Sequence, residues 1–168
     1  TILAPVFGRE LLRRGDEYTQ RVGIEGLIRT ATDKNYRAFF ERFNVKIRFY
    51  GDYRNVLTGT PHEGALQSMD EVVEATKSNS RFRLYFGVFA DESSETVARL
   101  SVENFRAEGK IPDKTALVKQ YYGEELPPVS LFIGFDKFSA FDMPLLSTGE
   151  EDLYFSHSPS PYMTARQL

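Results

Sequence analysis

Residues 129–155 read V-S-L-F-I-G-F-D-K-F-S-A-F-D-M-P-L-L-S-T-G-E-E-D-L-Y-F. An apolar run from Val129 to Phe135 ends in Asp136, Lys137 and Ser139, and a second aromatic strand, Leu153 to Phe155, has Asp152 at its head. In an open parallel α/β sheet, ligands bind outside the carboxyl ends of the strands. A cation, a hydroxyl and a carboxylate at such a place suit a substrate that carries phosphate groups and a metal. Without further context, Lys137, Ser139 and Asp152 read more simply as an ordinary polar loop.

Three other stretches follow strand-like runs. In Phe7-Gly8-Arg9-Glu10, Arg9 and Glu10 either face one pocket, or Glu10 only favours a helix N-terminus through the dipole. In Gly51-Asp52-Tyr53-Arg54, Arg54 is a candidate phosphate clamp with Asp52 orienting it. Ordinary turn chemistry, with Asp52 capping a helix, is the favoured reading there. After Phe89-Ala90, Ser93 or Ser94 is the expected N-cap of a helix, with Glu92 and Glu95 in its first turn. His62 and His157 are the only histidines, and no G-x-S-x-G elbow accompanies the serines around His157. Zincin, P-loop and dinucleotide motifs are absent as well.

The elements that must position these groups alternate along the chain. Leu3 to Phe7 is a short strand interrupted by Pro5, and helical spacing runs from Glu10 through Leu11, Leu12, Tyr18, Val22 and Ile24 to Ala31. Asp33 is placed to cap a helix bearing Tyr36, Phe39, Phe40 and Phe43. Val45 to Tyr50 alternates as a strand and stops at Gly51-Asp52. A helix over Ala65 to Lys77 precedes Phe82 to Ala90, the longest apolar run, which reads as a central strand buried on both faces. Helices over Ser94 to Ala107 and from Pro112-Asp113 to Tyr122 precede the late strands. Strand and helix in alternation predict an α/β fold, a single domain over residues 1–168 with a mainly parallel central sheet flanked by helices.

The 168 residues suffice to bury about two-thirds of the unfolded surface. A net charge of −3 gives no support to a nucleic-acid polymer as partner. With no cysteine there are no disulfides, thiolate zinc sites or cysteine nucleophiles, in keeping with a cytoplasmic protein. No apolar run approaches ~18 residues. Fourteen Phe and nine Tyr without a Trp point mostly to core, and otherwise to a cavity for an apolar ligand. The chain starts at Thr1 and stops in what reads as the opening of a helix, so truncation at both ends is expected.

Several segments carry a resemblance: R-R-G-D-E-Y (13–18), R-F-Y-G-D-Y-R (48–54), L-Y-F-G-V-F (84–89), Y-Y-G-E (121–124), F-I-G-F-D-K-F-S-A-F-D-M-P-L-L-S (132–147) and P-S-P-Y-M-T (159–164). In this unbroken order, nearly end to end, the chain resembles the cis-prenyltransferase-like terpene enzymes. The resemblance implies an enzyme that ionises an allylic isoprenoid diphosphate and passes the cation to water, a nucleoside or another prenyl diphosphate. It also implies Mg²⁺ as cofactor and a homodimer, and it is compatible with peripheral membrane contact.

Residue by residue, Lys137-Phe138-Ser139 falls on the R-x-S diphosphate motif of undecaprenyl diphosphate synthases, with Lys in place of Arg. An ammonium is a point charge where a guanidinium is a planar fork, so the exchange weakens bidentate recognition without removing anion binding. Asp152 takes the place of the family's glutamate ligand to Mg²⁺. Arg9 joins Lys137 and Ser139 as a diphosphate-binding residue, and Phe7, Phe86, Phe135 and Phe141 are the residues assigned to the hydrophobic tunnel. The family's D-G-x-R-R-W-like catalytic segment does not occur between Thr1 and Leu168, and the catalytic Asp is expected upstream of Thr1. Its absence leaves a second reading open, a non-catalytic partner subunit of the same fold.

Overall fold

The computed structural model describes residues 1–90, 92–135, 145–157, 160–164 and 166–167, and for Pro161 the backbone alone. Two units divide the chain, Thr1–Asp91 and Glu92–Leu168. The first is built on three parallel strands, β1 (Ile2–Phe7), β2 (Val45–Tyr50) and β3 (Phe82–Val88), in the order β1-β3-β2. The apolar run of β3 therefore takes the middle, as its composition predicts. Among the described residues β1 is an edge, and there the missing N–H of Pro5 costs the ladder little.

Register fixes which side chains share a face. Ala4 and Phe49 both pair with Phe86, and Ile47 pairs with Leu84. Between Pro5 and Phe7 the register shifts by one residue, so Phe7 rather than Val6 pairs with Val88. Simple alternation from Ala4 would put Phe7 on the opposite face. This bulge instead brings Phe7 to the side of Phe86.

The chain from β1 to β2 is a succession of helical segments that change pitch. A 3₁₀ segment (Arg9–Arg14) is followed by the single turn α1 (Asp16–Tyr18), a π segment (Thr19–Ile24), then α2 (Glu25–Thr32) and α3 (Lys34–Arg42). The mixed three- and four-residue spacing of the sequence is the trace of these pitch changes. Leu11 is packed so closely on Gly23 that a Cβ there would stand 2.5 Å from its Cδ2. Asp33 caps α3 as expected, its Oδ1 accepting from the Asn35 N–H at 2.8 Å. From β2 the chain passes through α4 (Tyr53–Leu57) and α5 (Gly64–Ala75) to β3.

Ile47 and Phe49 pack with Leu27, Ala31, Met69 and Val72 in the core of this unit. At the outer edge of β2, the buried Thr76 hydroxyl accepts from the Ile47 N–H at 3.0 Å and donates to the Val72 carbonyl at 2.8 Å. Thr76→Val leaves a buried amide without a partner, and urea unfolding should show a loss of about 1–3 kcal/mol.

The second unit holds α6 (Ser93–Glu108), α7 (Lys114–Tyr122) and the parallel pair β4 (Leu131–Phe135) and β5 (Asp152–Ser156). Gly109 and Gly123 close the two helices in left-handed conformations, φ 72° and 79°, which glycine adopts without strain. The N-cap of α6 is Glu92, not a serine: the Ser94 hydroxyl donates to the Glu92 carboxylate instead of capping the backbone. Among the described residues, no helix is long and apolar enough to cross a membrane.

Candidate functional site

The carboxyl ends of β1, β3 and β2 are laced together by backbone. The Phe89 N–H donates to the Phe7 carbonyl at 2.7 Å, and the Asp52 N–H donates to the Phe89 carbonyl at 3.1 Å. Across this rim Arg9, two residues beyond Phe7, forms an ion pair with Asp52. The other carboxylate oxygen of Asp52 accepts from Asn55 Nδ2 at 2.6 Å. Asp52 thus occupies the N-cap position of α4, but its side chain makes no capping bond. Arg54 turns elsewhere, with Nη2 and Nη1 at 2.5 and 3.2 Å from the Asp70 carboxylate. That bond raises the pKa of Arg54, while burial raises that of Tyr53. Of the two cations at these loops, Arg9 is the one joined to the strand ends.

Beneath the rim, on the helix-covered face, lies a cavity of about 350 Å³. Val6, Phe7, Phe49 and Phe86 form its sheet side, with Gly26, Leu27, Arg29, Thr30 and Tyr36 facing from α2 and α3. Phe49 and Phe86 are register partners with ring centroids 5.7 Å apart. The volume falls within the range of about 300–1,000 Å³ typical of small-molecule sites, and an aromatic lining suits an apolar ligand. At Gly26 a Cβ would meet nothing within 4 Å, so the absence of a side chain there keeps the space open.

No family model matches the chain. It is 40% identical, in an alignment of 169 positions that covers the whole chain, to a tuberculosinyl adenosine transferase of Mycobacterium tuberculosis (strain CDC 1551 / Oshkosh), of which it spans 57%. Its fold superposes with a TM-score of 0.75 on the crystal structure of a probable undecaprenyl diphosphate synthase from Campylobacter jejuni. That match covers 98% of this chain and 75% of the other at 17% identity. The chain has the cis-prenyltransferase-like fold. A second structure of that fold is lavandulyl diphosphate synthase from Lavandula x intermedia in complex with dimethylallyl diphosphate. It gives a TM-score of 0.68 at 11% identity, covering 98% of this chain and 71% of the other.

Placed on this cis-prenyltransferase-like fold, the residues singled out by sequence divide into three groups. Arg9, Phe7 and Phe86 belong to the first unit, the two phenylalanines in the wall of its cavity and Arg9 on the rim. Phe135 and Asp152 belong to the second unit, Phe135 half-buried at the end of β4 and Asp152 exposed at the head of β5. Lys137, Ser139 and Phe141 lie outside the described residues. Several members of the first unit's site escaped sequence reasoning, among them Phe49, Gly26 and Asn55. Phe49 had a signal, since it alternates with Ile47 and Val45 on one face of β2, but its pairing with Phe86 is a matter of register.

Mg²⁺ requires hard oxygen donors, and among the described residues no group of three or more His, Cys, Asp or Glu converges on one point. Asp152 offers a single exposed carboxylate. Its neighbour Glu151 is engaged by the N–H groups of Thr148 and Gly149, which hold its pKa below the usual glutamate range. One carboxylate fits a Mg²⁺ that takes its other ligands from substrate phosphates and water, as this ion commonly does.

Proposed function

We propose that this chain serves an enzyme that binds an allylic isoprenoid diphosphate and ionises it, passing the terpenyl cation to water, a nucleoside or another prenyl diphosphate. One observation carries the reading: Phe7 lines the aromatic cavity with Phe49 and Phe86, and Arg9 follows two residues after it in the chain. A hydrocarbon tail in the cavity and an anionic head near the guanidinium use the two halves of such a substrate. The relative that is 40% identical acts, by its name, as a tuberculosinyl transferase, which supports the substrate class.

In the proposed reaction the allylic C–O bond breaks heterolytically and its electron pair leaves with pyrophosphate. Groups that hold the diphosphate oxygens stabilise the charge that collects there; Arg9 is assigned to that role, and Lys137 and Ser139 keep it on the sequence resemblance. The cation left behind lies among aromatic faces, whose quadrupoles attract it and whose packing excludes water. Phe135 and Phe141 keep their assignment to the tunnel. Asp152 would hold a Mg²⁺, which would supply Lewis-acid stabilisation of the leaving group. A homodimer is part of the same reading, supported by the exposed Val102, Phe105, Leu131 and Leu153 of the second unit.

The test is incubation of the protein with geranyl, farnesyl and geranylgeranyl diphosphates plus Mg²⁺, with pyrophosphate release as readout. Arg9→Ala should lower kcat/KM by roughly 10–100-fold, the worth of one hydrogen bond to a charged group. Lys137→Ala and Ser139→Ala should raise KM or lower kcat, whereas His157→Ala, at an exposed position, should change little. Absence of release with all three substrates would favour a non-catalytic partner subunit. A severe loss in His157→Ala would mean that the reacting groups lie elsewhere.

A further inference from the structure

Asp52 is the more deeply set partner of the rim ion pair, its side chain 11% exposed against 51% for Arg9. It is held on every side. One carboxylate oxygen receives Arg9, the other receives Asn55 at 2.6 Å, and its N–H is fixed to the Phe89 carbonyl at 3.1 Å. Its own carbonyl accepts from the Val56 N–H at 3.0 Å in the first turn of α4. Gly51 adds to the rigidity, since its φ of +105° and its close approach to the Val88 carbonyl leave the turn little freedom. A carboxylate anchored in this way sets the direction of the guanidinium docked on it. Arginine presents its donors in a fixed planar fork, so fixing one nitrogen orients the others. A long side chain ordered in advance then binds an anion without losing its rotamer freedom at that moment.

We propose that Asp52, braced by Asn55, is a positioning residue that presents the Arg9 guanidinium to the anionic head of an isoprenoid diphosphate whose tail occupies the Phe7–Phe49–Phe86 cavity. This rests on the proposed function, and it deepens it by giving the ion pair a purpose beyond joining β1 to β2. A purely structural pair would hold the strand ends together whether or not an anion ever arrives. A positioning pair affects the head of the substrate and leaves the tail alone.

The two are separated by measuring pyrophosphate and farnesol binding independently, by calorimetry in the presence of Mg²⁺. The proteins compared are wild type, Asp52→Asn, Asn55→Ala, Arg9→Ala and the Arg9→Ala/Asp52→Asn double variant. Asp52→Asn is expected to weaken pyrophosphate binding by about tenfold, with Asn55→Ala changing it in the same direction by less. Farnesol affinity should be unchanged in both. In the Arg9→Ala background, Asp52→Asn should add nothing, since it acts through the residue already removed. Pyrophosphate binding as tight as or tighter than wild type in Asp52→Asn and Asn55→Ala, with Arg9→Ala impaired, would overturn the positioning role and leave Arg9 as the anion ligand. Equal losses for farnesol, or full additivity in the double variant, would also overturn it by assigning Asp52 to the scaffold. Undiminished pyrophosphate binding by Arg9→Ala, or no binding by wild type, would instead remove the reading beneath it. Should Asp52→Asn fail to fold, Asn55→Ala decides on the same readouts, because its side chain is exposed and touches the pair only through Asp52.

Discussion

Gly26→Leu should abolish most turnover of geranylgeranyl diphosphate while leaving the protein folded. Gly26 sits inside α2, where glycine is less favourable than alanine by about 0.5–1 kcal/mol, so a larger residue there does not weaken the helix. Its Cβ would enter open space on the wall of the cavity, and a leucine would occupy volume that a tail requires. The expected loss in kcat/KM is roughly 10–100-fold for the longest substrate, equivalent to an overpacking cost of about 1–3 kcal/mol. Geranyl diphosphate, with the shortest tail, should be affected least. A uniform effect across geranyl, farnesyl and geranylgeranyl diphosphates, or none, would place the tail somewhere else.

The largest effect on stability is expected at Gly51. Its φ of +105° is one that L side chains rarely adopt, and a Cβ there would lie 2.2 Å from the Val88 carbonyl oxygen. The obstacle is backbone of the neighbouring strand, so no rotamer change relieves it. Gly51→Ala should destabilise the protein by about 3–5 kcal/mol, combining conformational strain with a clash inside the sheet. For a chain of this size that corresponds to a fall in Tm of about 10 °C. The same substitution displaces Asp52, which follows directly, so any folded remainder should bind pyrophosphate poorly. A change below about 1 kcal/mol would mean that the turn yields easily and does not fix Asp52.

Much of this was legible in the sequence, because hydrophobic period and turn chemistry act locally. Val45 to Tyr50 and Phe82 to Val88 announced themselves as strands, Asp33 as a helix cap and Pro112-Asp113 as the opening of a helix. The cavity was not legible in this way. Phe7 reaches it through a one-residue bulge, and Phe49 through its register with Phe86. Both depend on how one strand lies against another, which no local pattern encodes. The polar rim shows the same division. Gly51-Asp52 was readable as a turn, but its ion pair joins Arg9 to a residue on a different loop, and Arg54, equally plausible from its position, is engaged by Asp70 in α5. The pitch changes between Arg9 and Ile24 lie between these cases: irregular spacing was visible, but not that Leu11 would settle against Gly23.

The most direct measurement is a crystal structure of the protein with farnesyl thiodiphosphate, an analogue that ionises slowly, and Mg²⁺. The predicted result is continuous density for the tail between Phe7, Phe49 and Phe86, facing Gly26, with the diphosphate against the Arg9 guanidinium. Density for the tail outside this cavity, or a diphosphate bound out of reach of Arg9, would contradict the proposed function at its root.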